Sequence, residues 1–147
     1  MAVKTTWTKG MEFRVEYPGG ETGYLNSVPK AERPGSGPSP MEAVLAALTG
    51  CTGMDVVSIL QKMRKVPEAF RIEVESQRRD EHPRIYTELV LTYYLDGPDL
   101  DAPSVARAVF LSQDKYCSVS GMLRPTVRLS YRIILNGKPV DTTPAAA

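Results

Sequence analysis

The residues able to do chemistry are few: two cysteines, Cys51 and Cys117, and one histidine, His82, in 147 residues. A Cys–His nucleophile would need His82, yet it lies in the polar turn RRDEHPR, and no run of residues has zinc-ligand spacing. Triad chemistry and a metal centre are therefore set aside, and no cofactor is implied. Thiol chemistry remains. A thiolate attacks electrophilic sulfur or oxygen, and a second thiol within reach traps the oxidised product as a disulfide.

Each cysteine has two open readings. Cys51 shares a helical face with Val44, Ala47, Leu48, Met54 and Asp55, at offsets of three, four and seven. That apolar setting suits a packing cysteine as well as a nucleophile, and Asp55 offers a carboxylate where activation needs a cation. Cys117 comes two residues after Lys115 and precedes SVSGML, a short helical turn whose first amides favour a thiolate; equally, it fills space at a helix end. The two are far apart in sequence and meet only if the fold brings their Cα atoms within about 7 Å.

The elements that must position them can be read from periodicity. Period-two alternation through Val3, Thr5 and Trp7, then Met11, Phe13, Val15 and Tyr17, predicts strands, and Pro18-Gly19-Gly20 turns the chain into a third. The stretch SVPKAERPGSGPS reads as a loop. Ser39-Pro40-Met41-Glu42 then opens a helix: Ser39 as N-cap, Pro40 at the first position, Glu42 closing a capping box. It continues for about 25 residues, or roughly 37 Å, and Pro67 ends it. Its first half is apolar all round, which predicts enclosure on every side. A hairpin comes next, with Phe70, Ile72 and Val74 on one face and Ile85, Thr87, Leu89, Leu91 and Tyr93 alternating after the turn. Asp101 caps a second helix running to about Tyr116, and Val127, Leu129, Tyr131 and Ile133 form a last strand. The order βββ-α-ββ-α-β predicts an α+β architecture with mainly antiparallel pairing, in a single domain over residues 1–147.

A net charge of +1 gives no field that would draw nucleic acid or an anionic membrane. The long helix has the length of a membrane span, but Glu42, Thr49, Thr52, Asp55 and Ser58 within it favour a soluble central helix. The N-terminus alternates rather than running apolar, so a cytoplasmic protein is expected, where a structural disulfide would be out of place.

The segment SPMEAVLAALTGCTGMDVVSIL, and much later KYCSVS, resembles the two-cysteine signature of the OsmC/Ohr family of osmotically inducible and organic-hydroperoxide-resistance proteins. The likeness covers nearly the whole chain, and QRRDEHPRIYTEL resembles the OsmC-like branch. The resemblance implies an intertwined homodimer with long helices at its centre, sheets outside and sites at the subunit interface. It implies a thiol peroxidase of oxidative or osmotic stress defence, with Cys51 attacking an organic hydroperoxide, Cys117 resolving the sulfenic acid, and an external dithiol reductant restoring both. Peroxidase members carry a glutamate directly after the proline of an N-P-E motif, partnering an arginine; here Met41 holds that position and Glu42 comes one later. One residue turns a helical side chain by about 100°. Glu42 is therefore a candidate both for catalysis and for the cap alone, and Arg14 and Arg33 are candidates for the arginine. Ser118 also stands where proline is common after the second cysteine. The alternative is a non-catalytic OsmC-like protein binding a small apolar or thiol ligand at the dimer interface.

Overall fold

The computed structural model describes residues 1–27 and 37–142, and the chain divides into two units, Met1–Ala46 and Ala47–Ala147. Arg33 lies outside the described residues, as does most of the expected loop.

In the first unit the alternating N-terminus forms β1 (Lys4–Lys9), β2 (Glu12–Glu16) and β3 (Thr22–Asn26), an antiparallel meander in that order. Gly10, at a φ of 51°, makes the first turn. Val15 and Asn26 are buried, whereas Trp7, Met11, Phe13, Tyr17 and Tyr24 stay exposed, more apolar surface than a finished domain usually presents.

The long helix α1 (Pro40–Lys62) begins as predicted. Ser39 N donates to Glu42 Oε2 at 2.7 Å, and Glu42 N donates to Ser39 Oγ at 3.2 Å, a reciprocal capping box. Its end differs from the expectation. Arg64 adopts a φ of 58°, Lys65 N donates to Leu60 O and Arg64 N to Gln61 O, a Schellman stop placed three residues before Pro67. Burial differs too. Leu48, Thr52, Val56 and Leu60 form the fully buried stripe, while Met54 is 75% exposed; the described residues of one chain cover α1 along one face, not all round. By length and composition alone α1 could cross a membrane, but its buried stripe rests on protein, and Thr52 bonds Tyr93 of the sheet.

The second unit carries β4 (Ala69–Arg78) and β5 (Tyr86–Asp96) as a long antiparallel hairpin, then α2 (Ala102–Leu111), a π-helical turn (Ser112–Tyr116), α3 (Ser118–Leu123), β6 (Arg128–Leu135) and β7 (Lys138–Val140). The sheet order is β4-β5-β6-β7, with β5 and β6 parallel and the other pairs antiparallel. The helical segment between β5 and β6 is the crossover that parallel neighbours require. Expected and observed faces of β5 part company at its start. Gln77 pairs with Glu88 and Arg78 with Tyr86, so Thr87 is an extra residue. The bulge inverts the alternation there: Tyr86 is buried while Ile85 and Thr87 are exposed, and Leu89, Leu91, Tyr93 and Leu95 line the core with Val105, Val109 and Ile133.

Asp101 caps α2 as predicted, accepting from Ser104 N at 2.9 Å and from Ser104 Oγ at 3.0 Å, and it pairs with Lys65 at 2.7 Å. The Lys65 ammonium first, then the Ser104 donors, hold its carboxyl down at about 2. A carboxyl lowered on folding stabilises above its unfolded pKa of ~3.9 and loses that stabilisation as pH falls towards the folded value. Asp101→Ala should therefore cost about 1 kcal/mol at neutral pH, mostly as the lost cap because the ion pair is exposed. Urea titrations should show the two proteins converging as pH falls from 4 to 2; a gap that persists at pH 2 would contradict the assignment.

Candidate functional site

Cys51, Thr52 and Asp55 lie in the middle of α1. Opposite them, the last turn of α2 widens into the π turn, and Cys117 N donates to Ser112 O at 2.7 Å. Turns of this kind are rare and concentrate at functional sites, because one surplus residue re-aims the side chains after it. Cys117 then caps α3: its Sγ accepts from Ser120 N at 3.4 Å. The fold so brings together two cysteines that the sequence keeps apart. The sulfurs of Cys51 and Cys117 and a carboxylate oxygen of Asp55 all lie within 4.8 Å of one another. No such cluster could be read from local spacing.

The two thiols sit differently. Cys51 is half-buried, Cys117 only 5% exposed. Burial pushes the Cys117 thiol up; the hydroxyl and N–H of Ser120 offset this in part, and Cys51 beside it pushes up again. Cys117 is thus a protonated thiol at neutral pH.

Behind the thiols runs a buried polar chain whose direction is fixed by proton counting. Asp55 as a carboxylate can only accept, so the Ser112 hydroxyl spends its one proton on Oδ2, at 2.9 Å. The 2.7 Å bond between Ser112 and Thr52 must then run from Thr52, and the 2.7 Å bond between Thr52 and Tyr93 from Tyr93. Gln113 Nε2 donates to both Tyr93 OH, at 2.7 Å, and Thr52 Oγ1, at 3.2 Å. Its amide is oriented by Arg124, which donates to Gln113 O at 2.9 Å and to Oε1 at 3.3 Å. The order Tyr93→Thr52→Ser112→Asp55 is unbroken. Burial keeps the Tyr93 phenol far above its ordinary range, so it stays a donor throughout. Thr52 and Asp55 were visible in the sequence as polar breaks in an apolar helix. Ser112, Gln113 and Tyr93 carried no such signal, since polar residues late in an amphipathic helix and a strand tyrosine are ordinary.

The remaining candidates are Glu42 and Arg14. Glu42 is in the first turn of α1, two and a half turns before Cys51, and closes the capping box. Arg14 pairs with Glu16 in the β1–β3 sheet. Glu42→Gln separates the roles open to Glu42, because glutamine still closes a capping box but carries no charge. If Glu42 only caps, the substitution should lower stability by about 1 kcal/mol and leave any peroxide turnover unchanged; a large fall in turnover at unchanged stability would make Glu42 catalytic.

On the other side of α1, Thr49, Gly50, Gly53, Met54, Val57 and Ile72 help line an open groove of about 560 Å³. It lies on the side of α1 that the described residues leave uncovered.

Comparison with known proteins bears on the fold and the family. The family model for OsmC-like protein matches residues 33–132. Protein YhfA of Escherichia coli K12 is 41% identical over 138 residues, spanning 91% of this chain and 98% of that protein. The crystal structure of a hypothetical protein from Aquifex aeolicus VF5 is similar with a TM-score of 0.77 at 28% identity, covering 91% of this chain and 96% of that one. The organic hydroperoxide resistance protein OhrB of Bacillus subtilis shares the fold, with a TM-score of 0.62 at 16% identity over 90% of this chain and 98% of that one. With a family match over most of its length and a close relative spanning nearly all of it, the chain belongs to the OsmC/Ohr family.

Proposed function

We propose that the protein is a cytoplasmic, homodimeric thiol peroxidase that reduces organic hydroperoxides in stress defence. The observation that carries this reading is the pairing of a half-buried Cys51 with a buried, protonated Cys117 within 4.8 Å. The asymmetry supports a division of roles. The more accessible Cys51, as thiolate, attacks the distal oxygen of ROOH; the O–O bond breaks, ROH leaves with a proton, and Cys51 becomes a sulfenic acid. Cys117 then attacks that sulfur, its thiol proton leaves with the hydroxyl as water, and a disulfide forms. An external dithiol returns both sulfurs to thiols by exchange and is itself oxidised.

Bond formation brings the sulfurs to about 2.05 Å. The apolar lining of α1 around Cys51 favours an alkyl or aryl hydroperoxide over hydrogen peroxide. Homodimers are the rule in the OsmC/Ohr family, and the uncovered face of α1 with the exposed β1–β3 sheet supports one here.

Met41, at the position where peroxidase members carry glutamate, favours a second reading, a binding protein for a small apolar or thiol ligand whose cysteines do not turn over. One equivalent of cumene hydroperoxide, added to reduced protein, decides between them. The peroxidase loses two thiols per chain rapidly and yields a Cys51–Cys117 disulfide by mass spectrometry. Thiols that remain reduced would leave the binding protein.

A further inference from the structure

Asp55 has one partner among the described residues, the Ser112 hydroxyl. A partly buried carboxylate beside two sulfurs, with no cation bonded to it, is electrostatically incomplete. We propose that the reduced protein binds one thiophilic divalent cation of the zinc type through Cys51 Sγ, Cys117 Sγ and a carboxylate oxygen of Asp55.

The ligand set fits. Two thiolates and one carboxylate are zinc ligands, and three protein ligands leave a fourth position for water. Tetrahedral bonds of about 2.3 Å to sulfur and 2.0–2.2 Å to oxygen place neighbouring ligand atoms roughly 3.5–3.8 Å apart. Each pair here lies within 4.8 Å, so side-chain rotations that close about 1 Å complete the shell.

The surroundings fit independently. Metal-bound carboxylates and thiolates are held by outer hydrogen-bond donors. Asp55 is the acceptor at the end of the directed chain from Tyr93, and Cys117 Sγ already accepts from Ser120 N. The Ser120 hydroxyl is buried and, among the described residues, meets no hydrogen-bond partner; a metal thiolate on Cys117, whose Sγ already accepts from the Ser120 N–H, would offer it an acceptor. On binding, the two thiol protons pass to the buffer and two S–metal bonds form; no oxidant or reductant takes part.

The cation and the disulfide exclude each other, since a disulfide offers no thiolate. Zinc occupancy would therefore be confined to the reduced state and would shield Cys51 from peroxide. Zinc binding needs only the three ligands and does not depend on peroxidase activity.

Reduced protein under anaerobic conditions should take up one zinc per chain in competition with a chromophoric chelator. Cobalt should give a thiolate-to-metal charge-transfer band. Diamide-oxidised protein should bind neither. Asp55→Asn should weaken zinc binding at least about tenfold, and loss of either sulfur by Cys51→Ser or Cys117→Ser more than about a hundredfold. In the parent protein, which removes any question of misfolding, one equivalent of zinc should slow iodoacetamide alkylation of both thiols at least about tenfold, reversibly with EDTA. Failure to retain zinc, unprotected thiols, or an Asp55→Asn protein that binds as tightly as the parent would each overturn the site. Turnover of hydroperoxide by zinc-free protein, measured in parallel, reports on the peroxidase reading alone.

Discussion

Cys51→Ser protein will consume cumene hydroperoxide no faster than buffer, while Cys117→Ser protein will consume one equivalent per chain rapidly, a second more slowly by over-oxidation, and then stop. Under the proposed peroxidase mechanism, the difference comes from the order of events at the two sulfurs. Without Cys51 no sulfenic acid forms, because Cys117 is buried and protonated. Without Cys117 the first oxidation proceeds, but nothing nearby closes the disulfide, and excess peroxide carries Cys51 on to the sulfinic acid, a gain of two oxygens by mass. Equal turnover in the two variants would end the two-cysteine mechanism. The parent protein adds a pH signature. Cys117 must lose its proton to attack, and burial raises its pKa above the ordinary thiol value. Stopped-flow rates of disulfide closure should therefore keep rising with pH beyond ~8.5, where an unperturbed thiol would level off.

The second large effect is on stability. Thr52 is fully buried and accepts from Tyr93 and Gln113 while donating to Ser112. Thr52→Val keeps the shape but removes both acceptor and donor. Tyr93 O–H and one Gln113 N–H are then buried without acceptors, at about 1–3 kcal/mol each. A total loss of about 3 kcal/mol is expected from urea denaturation at fixed protein concentration. Thr52→Ser keeps every hydrogen bond and deletes one methyl, so it should cost only about 1 kcal/mol. If serine destabilises as much as valine, packing rather than the polar chain holds this region, and the direction assigned to the hydrogen bonds has no energetic consequence.

Much of the fold was legible in the residues, for reasons that differ by element. The start of α1 could be read because Ser39, Pro40 and Glu42 are chemically specific to a helix N-terminus. Its end could not, because Arg64 takes a left-handed conformation that side-chain type rarely announces. The bulge at Thr87 was hidden because strict alternation assumes an unbroken ladder. The strand β7 escaped although Asn136-Gly137, with φ of 49° and 78°, is a strong hairpin signal. The parallel pairing of β5 with β6 was beyond reach, since hydropathy records which face is buried and says nothing of strand direction. At the site, resemblance singled out Cys51 and Cys117, but their convergence with Asp55 depends on the crossover between β5 and β6. Ser112, Gln113 and Tyr93 became meaningful only as partners of Thr52.

The π turn places Ser112 in two roles at once: its carbonyl holds the backbone of Cys117, and its hydroxyl holds the carboxylate of Asp55. The separation of the two sulfur-bearing segments is therefore set by chain arithmetic at this turn. Deleting one residue between Gln113 and Tyr116 would restore ordinary helical winding and swing Cys117 about 100° around the axis, out of the cluster. Lengthening or shortening this turn by a single residue is thus a way for a chain of this fold to gain or lose its thiol pair while keeping both cysteines in its sequence.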